Sequence, residues 1–321
     1  MSATSEKRIW FITGTSTGIG RALTESVLAA GEIVVAAARN PAALAELQSR
    51  YPDPKLVVCQ VDVTNVDQIT KAFETIKERF GRLDVVVNNA GYSMCGEIEG
   101  IPDDAARRLL EVDFWGPVNI CKQAVKFFRE VNPSGRGGRI VNLSSIAGYM
   151  ANPCLAFYSA AKFALEGFTQ SLNQEMAPEW NIKAIILEVG GVTETGVVDN
   201  LVRFPSPPAY SDPSSPTQVF QELAFGENRV WIGRKDRVAK AIIRIVGEPE
   251  PPLRLQLGSD SWLLVNMTAK QTLEDSKKWE DLSHSTNADG YDKQVVMKMF
   301  GMHARHDIIV DLRNDIQPKN Q

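Results

Sequence analysis

Residues 8–13, Arg-Ile-Trp-Phe-Ile-Thr, form a nearly unbroken apolar run that ends directly in Gly14-Thr15-Ser16-Thr17-Gly18-Ile19-Gly20. From Ile19 onward the apolar residues recur at helical spacing, with Ile19, Leu23, Val27 and Leu28 on one face. A continuous apolar run suits a strand buried on both faces. Strand, glycine turn and helix, in that order, make the entrance to a dinucleotide-binding unit. The glycines let backbone approach a pyrophosphate, and the helix start offers free N–H groups and a positive dipole end. The spacing is Gly-x-x-x-Gly-x-Gly rather than Gly-x-Gly-x-x-Gly, but the flanks argue against a mere tight turn.

The same alternation continues down the chain. Short apolar runs at 33–38, 56–61, 83–87, 139–143, 182–187 and 253–257 read as strands. Helical patterns lie at about 66–80, 104–131, 157–176, 235–246 and 259–282. This predicts an α/β fold of the Rossmann type, a doubly wound parallel sheet of about seven strands flanked by helices. Ligands in such sheets bind at the carboxyl ends of the strands, and Gly14, Asp62, Asn89 and Ser145 all fall there. Asp62 can hydrogen-bond an adenine amino group or cap the following helix. In Asn88-Asn89-Ala90-Gly91 the small residues admit a flat ligand, and the asparagines can bridge neighbouring strands. The second strand ends in Ala38-Arg39-Asn40, where NAD sites usually carry an acidic residue against the ribose. A guanidinium there suits a 2′-phosphate, which favours NADP(H) over NAD(H). In the 104–131 helix, capped by Asp103 or Asp104, Gly116-Pro117 should produce a bend just after Asp113.

The run at 139–143 leads into Ser144 and Ser145, then a Gly/Asn/Pro loop, then a helix with Tyr158 and Lys162 one turn apart. Positions i and i+4 share a helix face. A neighbouring ammonium favours the phenolate, which makes Tyr158 a usable acid or base near neutral pH. The other face of this helix (Phe163, Leu165, Phe168, Leu172) packs on the core or on a second copy.

With 23% charged residues, a net charge of −4 and 44% hydrophobic residues, the 321-residue chain is ordinary globular material. It offers no electrostatic case for binding nucleic acid or an anionic membrane. No stretch is apolar enough for a signal peptide or a spanning helix. Cys59, Cys95, Cys121 and Cys154 show neither pairing nor metal spacing and suit a reducing compartment, so a cytoplasmic protein is expected.

Residues 13–20, Asp62-Val63, Asn88-Asn89-Ala90-Gly91, Ser145 and Tyr158-x-x-x-Lys162 together resemble the short-chain dehydrogenase/reductase family, in its order and spacing, over roughly residues 8–280. The resemblance implies the single-domain NAD(P)-dependent branch. It places cofactor binding at Gly14, Ser16, Thr17, Gly18, Ile19, Gly20, Arg39, Asp62, Val63, Asn89, Ala90, Gly91, Tyr158, Lys162, Gly190 and Val192. It assigns the catalytic positions to Ser145, Tyr158, Lys162 and Asp113. Two departures stand out. Asp113 replaces an asparagine that in the family helps hold a water linking the lysine to solvent, and Val189-Gly190 replaces a Pro-Gly pair. The loop geometry after that pair should differ, with Val192 still meeting the nicotinamide carboxamide.

On this reading hydride passes between the nicotinamide and a carbonyl or alcohol, with Ser145 binding the oxygen, Tyr158 as acid/base and Ser144 structural. An imine or activated C=C bond on the same scaffold, a cofactor-binding regulator without turnover, and an oligomeric scaffold are the alternatives. Ser93, Met94, Cys95, Tyr149, Ala151, Leu155 and residues 193–225 suggest a fairly apolar pocket for a lipophilic small molecule. The Pro/Ser-rich 205–216 insert is a substrate lid or a passive loop. The resemblance implies a homodimer or homotetramer through the helices near 104–131 and 157–176. A catalytic domain is expected over 1–285 and an extension over 286–321, which could cover one of those faces. In the extension, 295–300 is apolar and 308–312 could add a strand. His303 and His306 lack a third ligand, so no metal is expected.

Overall fold

The computed structural model describes residues 6–196, 200–292 and 295. Seven strands form one parallel sheet: β1 (Ile9–Thr13), β2 (Ile33–Ala38), β3 (Leu56–Gln60), β4 (Val85–Asn88), β5 (Gly138–Ser145), β6 (Ile182–Val189) and β7 (Arg254–Leu257). Their spatial order is β7-β6-β5-β4-β1-β2-β3. The order reverses beside β1, so a crevice opens there at the carboxyl ends.

The alternation of side chains explains why β1 is apolar throughout. Trp10 and Ile12 join one buried cluster with Leu23, Val27, Val238 and Ile242, drawn from helices α1 (Gly18–Ala29) and Lys235–Ile245. Ile9 and Phe11 join a second cluster, on the opposite face, with Phe73, Ile120 and Phe127. Those come from α2 (Val66–Phe80) and from a helix in the 103–130 region. Each sheet face is therefore sealed by helices, and only the strand ends remain for chemistry.

The predicted bend near Gly116-Pro117 takes a specific form. Helix α3 (Asp103–Leu110) passes through a π turn (Glu111–Trp115) into α4 (Gly116–Glu130). The Gly116 N–H donates to the Glu111 carbonyl, five residues back. Pro117 has no N–H for the carbonyl of Asp113, so the usual ladder is interrupted there, and a π turn absorbs the interruption. Asp113 lies within this turn and is fully buried. Neither aspartate caps α3, whose N-cap position is held by Pro102.

Helix α5 (Ala156–Glu175) carries Tyr158 and Lys162. Leu165 is buried in it, Phe168 and Leu172 pack on the second cluster, and Phe163 is 46% exposed. After β6, Val192–Thr193 pairs with Gly233–Arg234, and Val202–Arg203 pairs with Met94–Cys95. The 205–216 insert leads into α6 (Pro216–Phe225). Helix α7 is Lys235–Ile245, and α8 is Ser259–Lys278. The chain divides into two units, Met1–Thr268 and Ala269–Gln321. Within the second lie the end of α8 and a short helix, Glu280–His284. His303, His306, residues 308–312 and, apart from Val295, the 295–300 segment lie outside the described residues. Among the described residues no helix is long and apolar enough to cross a membrane.

Candidate active site

The glycine turn is shaped by close approach. Gly14 (φ +67°) and Gly18 (φ +59°) adopt left-handed backbone. A Cβ on Gly14 would stand 2.8 Å from the Cα of Ala90, and one on Gly20 would overlap the Gly14 carbonyl and the Asn89 amide. Asn89 is the strap holding this turn to β4: its Nδ2 donates to the Thr13 carbonyl at 2.8 Å and to the Gly14 carbonyl at 3.1 Å. The Thr13 hydroxyl accepts from the backbone N–H groups of Asn89 and Ala90, both at 3.0 Å. Thr17 is the N-cap residue of α1 without a side-chain cap bond, so the first turn keeps N–H groups for an anion. A pocket of about 390 Å³ opens here, lined by Thr17, Gly18, Arg21, Thr195, Gly196 and Lys235 among others. Glu25 and Glu194 also line it and pair with Arg21 and Lys235, at 2.6 and 3.9 Å, so it is the bare backbone and the helix start that suit the pyrophosphate of a dinucleotide.

The other expected cofactor residues surround the same crevice. Arg39 is exposed just past β2. Asp62 uses its carboxylate to accept from the Thr64 N–H and hydroxyl, at 2.9 and 2.8 Å. It does not cap α2; Asn65 does, accepting from Gln68 N–H at 3.0 Å. Val63 is buried. Asn88 bridges strands as expected, donating to Asn142 of β5 at 2.7 Å, and Asn142 donates to Thr169 of α5 at 2.7 Å.

The Tyr158–Lys162 face of α5 meets three other elements. Lys162 is buried and donates to the Leu143 carbonyl of β5 at 3.2 Å. Its ammonium lies 3.1 Å from Asp113 Oδ2, and 5.5 Å from the Tyr158 ring centroid. Asp113 Oδ1 accepts from the Tyr92 N–H at 3.0 Å, tying the π turn to the loop after β4. Ser145 at the end of β5 lies near enough to Tyr158 to favour its ionised form, and its hydroxyl accepts from the Ala147 N–H at 3.2 Å.

The electrostatics correct one expectation. Burial pushes the Tyr158 phenol above its ordinary value and Asp113 adds to this, outweighing Lys162 and Ser145, which pull it down. Lys162 alone would favour the phenolate, but burial outweighs it and the carboxylate beside it offsets part of its charge. Lys162 itself is lowered by burial yet raised overall by Asp113 and Tyr158, so it stays an ammonium. Burial lifts Asp113 above the usual carboxylate range, with Lys162 opposing.

Two supporting groups escaped the sequence reading. The first is Glu166, one turn beyond Lys162 on the same face and buried. It accepts from the Ser144 hydroxyl at 2.5 Å and pairs with Arg254 of β7. Arg254 also reaches the buried Glu188 at 3.1 Å. Ser144 thus clamps the Ser145 turn to the helix of Tyr158. Replacing Glu166 by Ala should cost about 2–3 kcal/mol, the low end for breaking a buried pair because Glu188 still holds Arg254. Glu166→Gln, which keeps an acceptor for Ser144, should cost less; urea unfolding midpoints of the two variants check the order.

The second group is Asp260, in the first turn of α8, whose Oδ2 accepts from the Gly191 N–H at 2.7 Å. A Cβ on Gly190 would collide with this carboxylate. The Val189-Gly190-Gly191 turn is therefore fixed from outside by Asp260, where a Pro-Gly pair was expected from the resemblance. Val192 follows it, buried and paired with Gly233.

The chain is similar to known proteins over most of its length. A family model described as short chain dehydrogenase matches residues 8–205. An uncharacterized oxidoreductase of Schizosaccharomyces pombe is 36% identical over 287 residues, spanning 89% of this chain and 94% of its own length. A 3-ketodihydrosphingosine reductase of Bacteroides thetaiotaomicron is 32% identical over 272 residues, spanning 82% of this chain and 95% of its own. A solved short-chain dehydrogenase from Streptomyces avermitilis superposes with a TM-score of 0.77 at 30% identity, covering 89% of this chain and all of the other.

Proposed function

Because this chain belongs to the short-chain dehydrogenase family and is an oxidoreductase acting on a small molecule with a nicotinamide cofactor, we infer that it reduces a lipophilic ketone, or oxidises the matching alcohol, with Tyr158 as acid/base. The observation that carries this reading is the convergence of Ser145, Tyr158 and Lys162 at the carboxyl ends of the strands, beside the glycine turn. When bound, the dihydronicotinamide supplies a hydride. The residues suited to hold the cofactor are the glycine turn, Arg39, Asp62, Val63, Asn89–Gly91 and the turn at Gly190–Val192, with Lys162 for the nicotinamide ribose. Ser145 donates a hydrogen bond to the carbonyl oxygen. Tyr158 gives that oxygen its proton as negative charge develops there, where placed donors act most strongly.

The lipophilic substrate is supported by the side chains around Tyr158. Cys95, Cys154, Leu155 and Leu201 form a buried apolar cluster with Tyr158, Phe220 and Phe225 packed against it. The 3-keto substrate in the name of the Bacteroides relative agrees with this chemistry. Leu201, Phe220 and Phe225, which flank the 205–216 insert, are three of these seven residues, which favours a substrate lid over a passive loop. Exposed aromatics on the π turn (Trp115) and on α5 (Phe163) support a homo-oligomer through these helices. Four unpaired cysteines support a cytoplasmic setting.

Titration with NADPH and NADH, followed by a panel of lipophilic ketones, tests cofactor and reaction together. NADPH should bind more tightly. Arg39→Ser should erase about ten- to a hundredfold of that preference, the value of one charge-assisted bond to a 2′-phosphate. Equal preference in both proteins would remove Arg39 from the site. Binding of cofactor without reduction of any ketone would favour a regulator or a different acceptor bond.

A further inference from the structure

We propose that Asp113, by pairing with Lys162, acts as a positioning residue that keeps Tyr158 a phenol at neutral pH and so sets the site to reduce carbonyls rather than oxidise alcohols. This rests on the reading of Tyr158 as acid/base and extends it to the direction of reaction.

The geometry is specific. Asp113 is fully buried, its Oδ1 is committed to the Tyr92 N–H, and its Oδ2 faces the Lys162 ammonium at 3.1 Å. Oδ2 has no aligned hydrogen-bond donor, so it acts on Lys162 as a charge. The carboxylate is held in place: Oδ1 is tied to the Tyr92 N–H, and Gly91 packs so close that a Cβ there would stand 3.0 Å from Oδ2. An isolated ammonium beside a phenol stabilises the phenolate. An ammonium locked against a carboxylate presents a dipole instead, and its field at the phenol shrinks.

The other groups around Tyr158 do not replace the lost charge. On its own helix stand Lys162 and, a further turn on, Glu166, whose charge is paired with Arg254; from the π turn comes Asp113, and from the end of β5 the neutral hydroxyl of Ser145. From the loop after β4 come Tyr92, itself pushed up by burial and by Asp113, and Cys95. Burial pushes the Cys95 thiol up to about 12, and Cys154, before α5, is raised too, so both are neutral near pH 7. Glu97 and Arg203 act on those thiols, and Arg108 on Tyr92. The direction found for Tyr158, above its ordinary value, agrees with the geometry.

The consequence is directional. In reduction the Tyr158 O–H bond breaks, the proton goes to the substrate oxygen as hydride from the reduced nicotinamide reaches the carbonyl carbon, and the phenolate regains a proton from solvent. That requires the phenol at the start. Alcohol oxidation requires the phenolate, which this site withholds until alkaline pH.

The test is a pH titration of Asp113→Asn, an uncharged isostere. The phenolate absorbance of Tyr158 is isolated as the difference between each protein and its Tyr158→Phe partner. In Asp113→Asn the midpoint should fall by about one to two units, the effect of one nearby charge at an effective dielectric of about 20. The rise of alcohol oxidation and the fall of ketone reduction with pH should move down together by the same amount. Asp113→Ser provides the same comparison if Asn does not fit the π turn. An unchanged or higher midpoint in a folded variant would overturn the proposal. A lower midpoint in an enzyme that reduces no ketone would leave the proposed effect of Asp113 on Tyr158 in place and defeat the reading of function instead.

Discussion

Tyr158→Phe should lose turnover by at least about 10²–10⁴-fold, the usual contribution of a positioned acid or base, while still binding NADPH. The substitution removes one hydroxyl from a half-buried ring and leaves its apolar packing intact. Lys162 keeps its ion pair with Asp113 and its hydrogen bond to the Leu143 carbonyl, and the glycine turn is not touched. Loss should therefore fall on kcat and not on cofactor affinity, which fluorescence of bound NADPH reads separately. A variant with full activity would remove Tyr158 from the chemistry.

The second large effect should come from Gly20→Ala. This change adds one methyl group at a helical position, where alanine is otherwise the better residue. Here that methyl would overlap the Gly14 carbonyl and the Asn89 amide. Asn89 could move only by giving up its bonds to Thr13 and Gly14, which hold the turn to β4. Overpacking of this kind costs about 1–3 kcal/mol, and the displaced turn should weaken NADPH binding by tenfold or more. Calorimetric titration measures the affinity and urea unfolding the stability. Gly31→Ala is the control, because its Cβ meets nothing within 4 Å and strains only its own φ of +82°. If Gly20→Ala binds NADPH like the parent, the turn does not carry the pyrophosphate.

Much of this was legible because the signals are local. A strand buried on both faces must be apolar along its length, so β1 and β2 stand out as runs. The i, i+4 spacing of Tyr158 and Lys162 needs only a helix to put them side by side. What the sequence concealed are contacts between residues far apart in the chain. Glu166 meets Arg254 across 88 positions, and Asp260 meets Gly191 across 69. Neither pair has a spacing that marks it, because each forms only when the sheet brings β5, β6 and β7 together. Asp113 lies between these cases. Its identity was visible as a departure from the family, and Gly116-Pro117 marked a break in the helix. The consequence was not visible, since it takes the fold to bury Tyr158, which raises its phenol, and to bring Asp113 within 3.1 Å of the ammonium, which adds to that rise against Lys162. Asp62 shows the opposite failing: as a cap it was a reasonable reading of Asp before a helix, but Asn65 sits closer to the helix start and takes the role.

The central claim is that hydride moves between the nicotinamide and a carbonyl carbon at Ser145, Tyr158 and Lys162. The most direct measurement uses NADPH carrying deuterium at its hydride position, a lipophilic ketone, and mass spectrometry of the product. The account predicts one deuterium on the carbinol carbon with the native protein and almost none with Tyr158→Phe. Deuterium on a carbon of a C=C or C=N substrate, with every ketone left untouched, would contradict it.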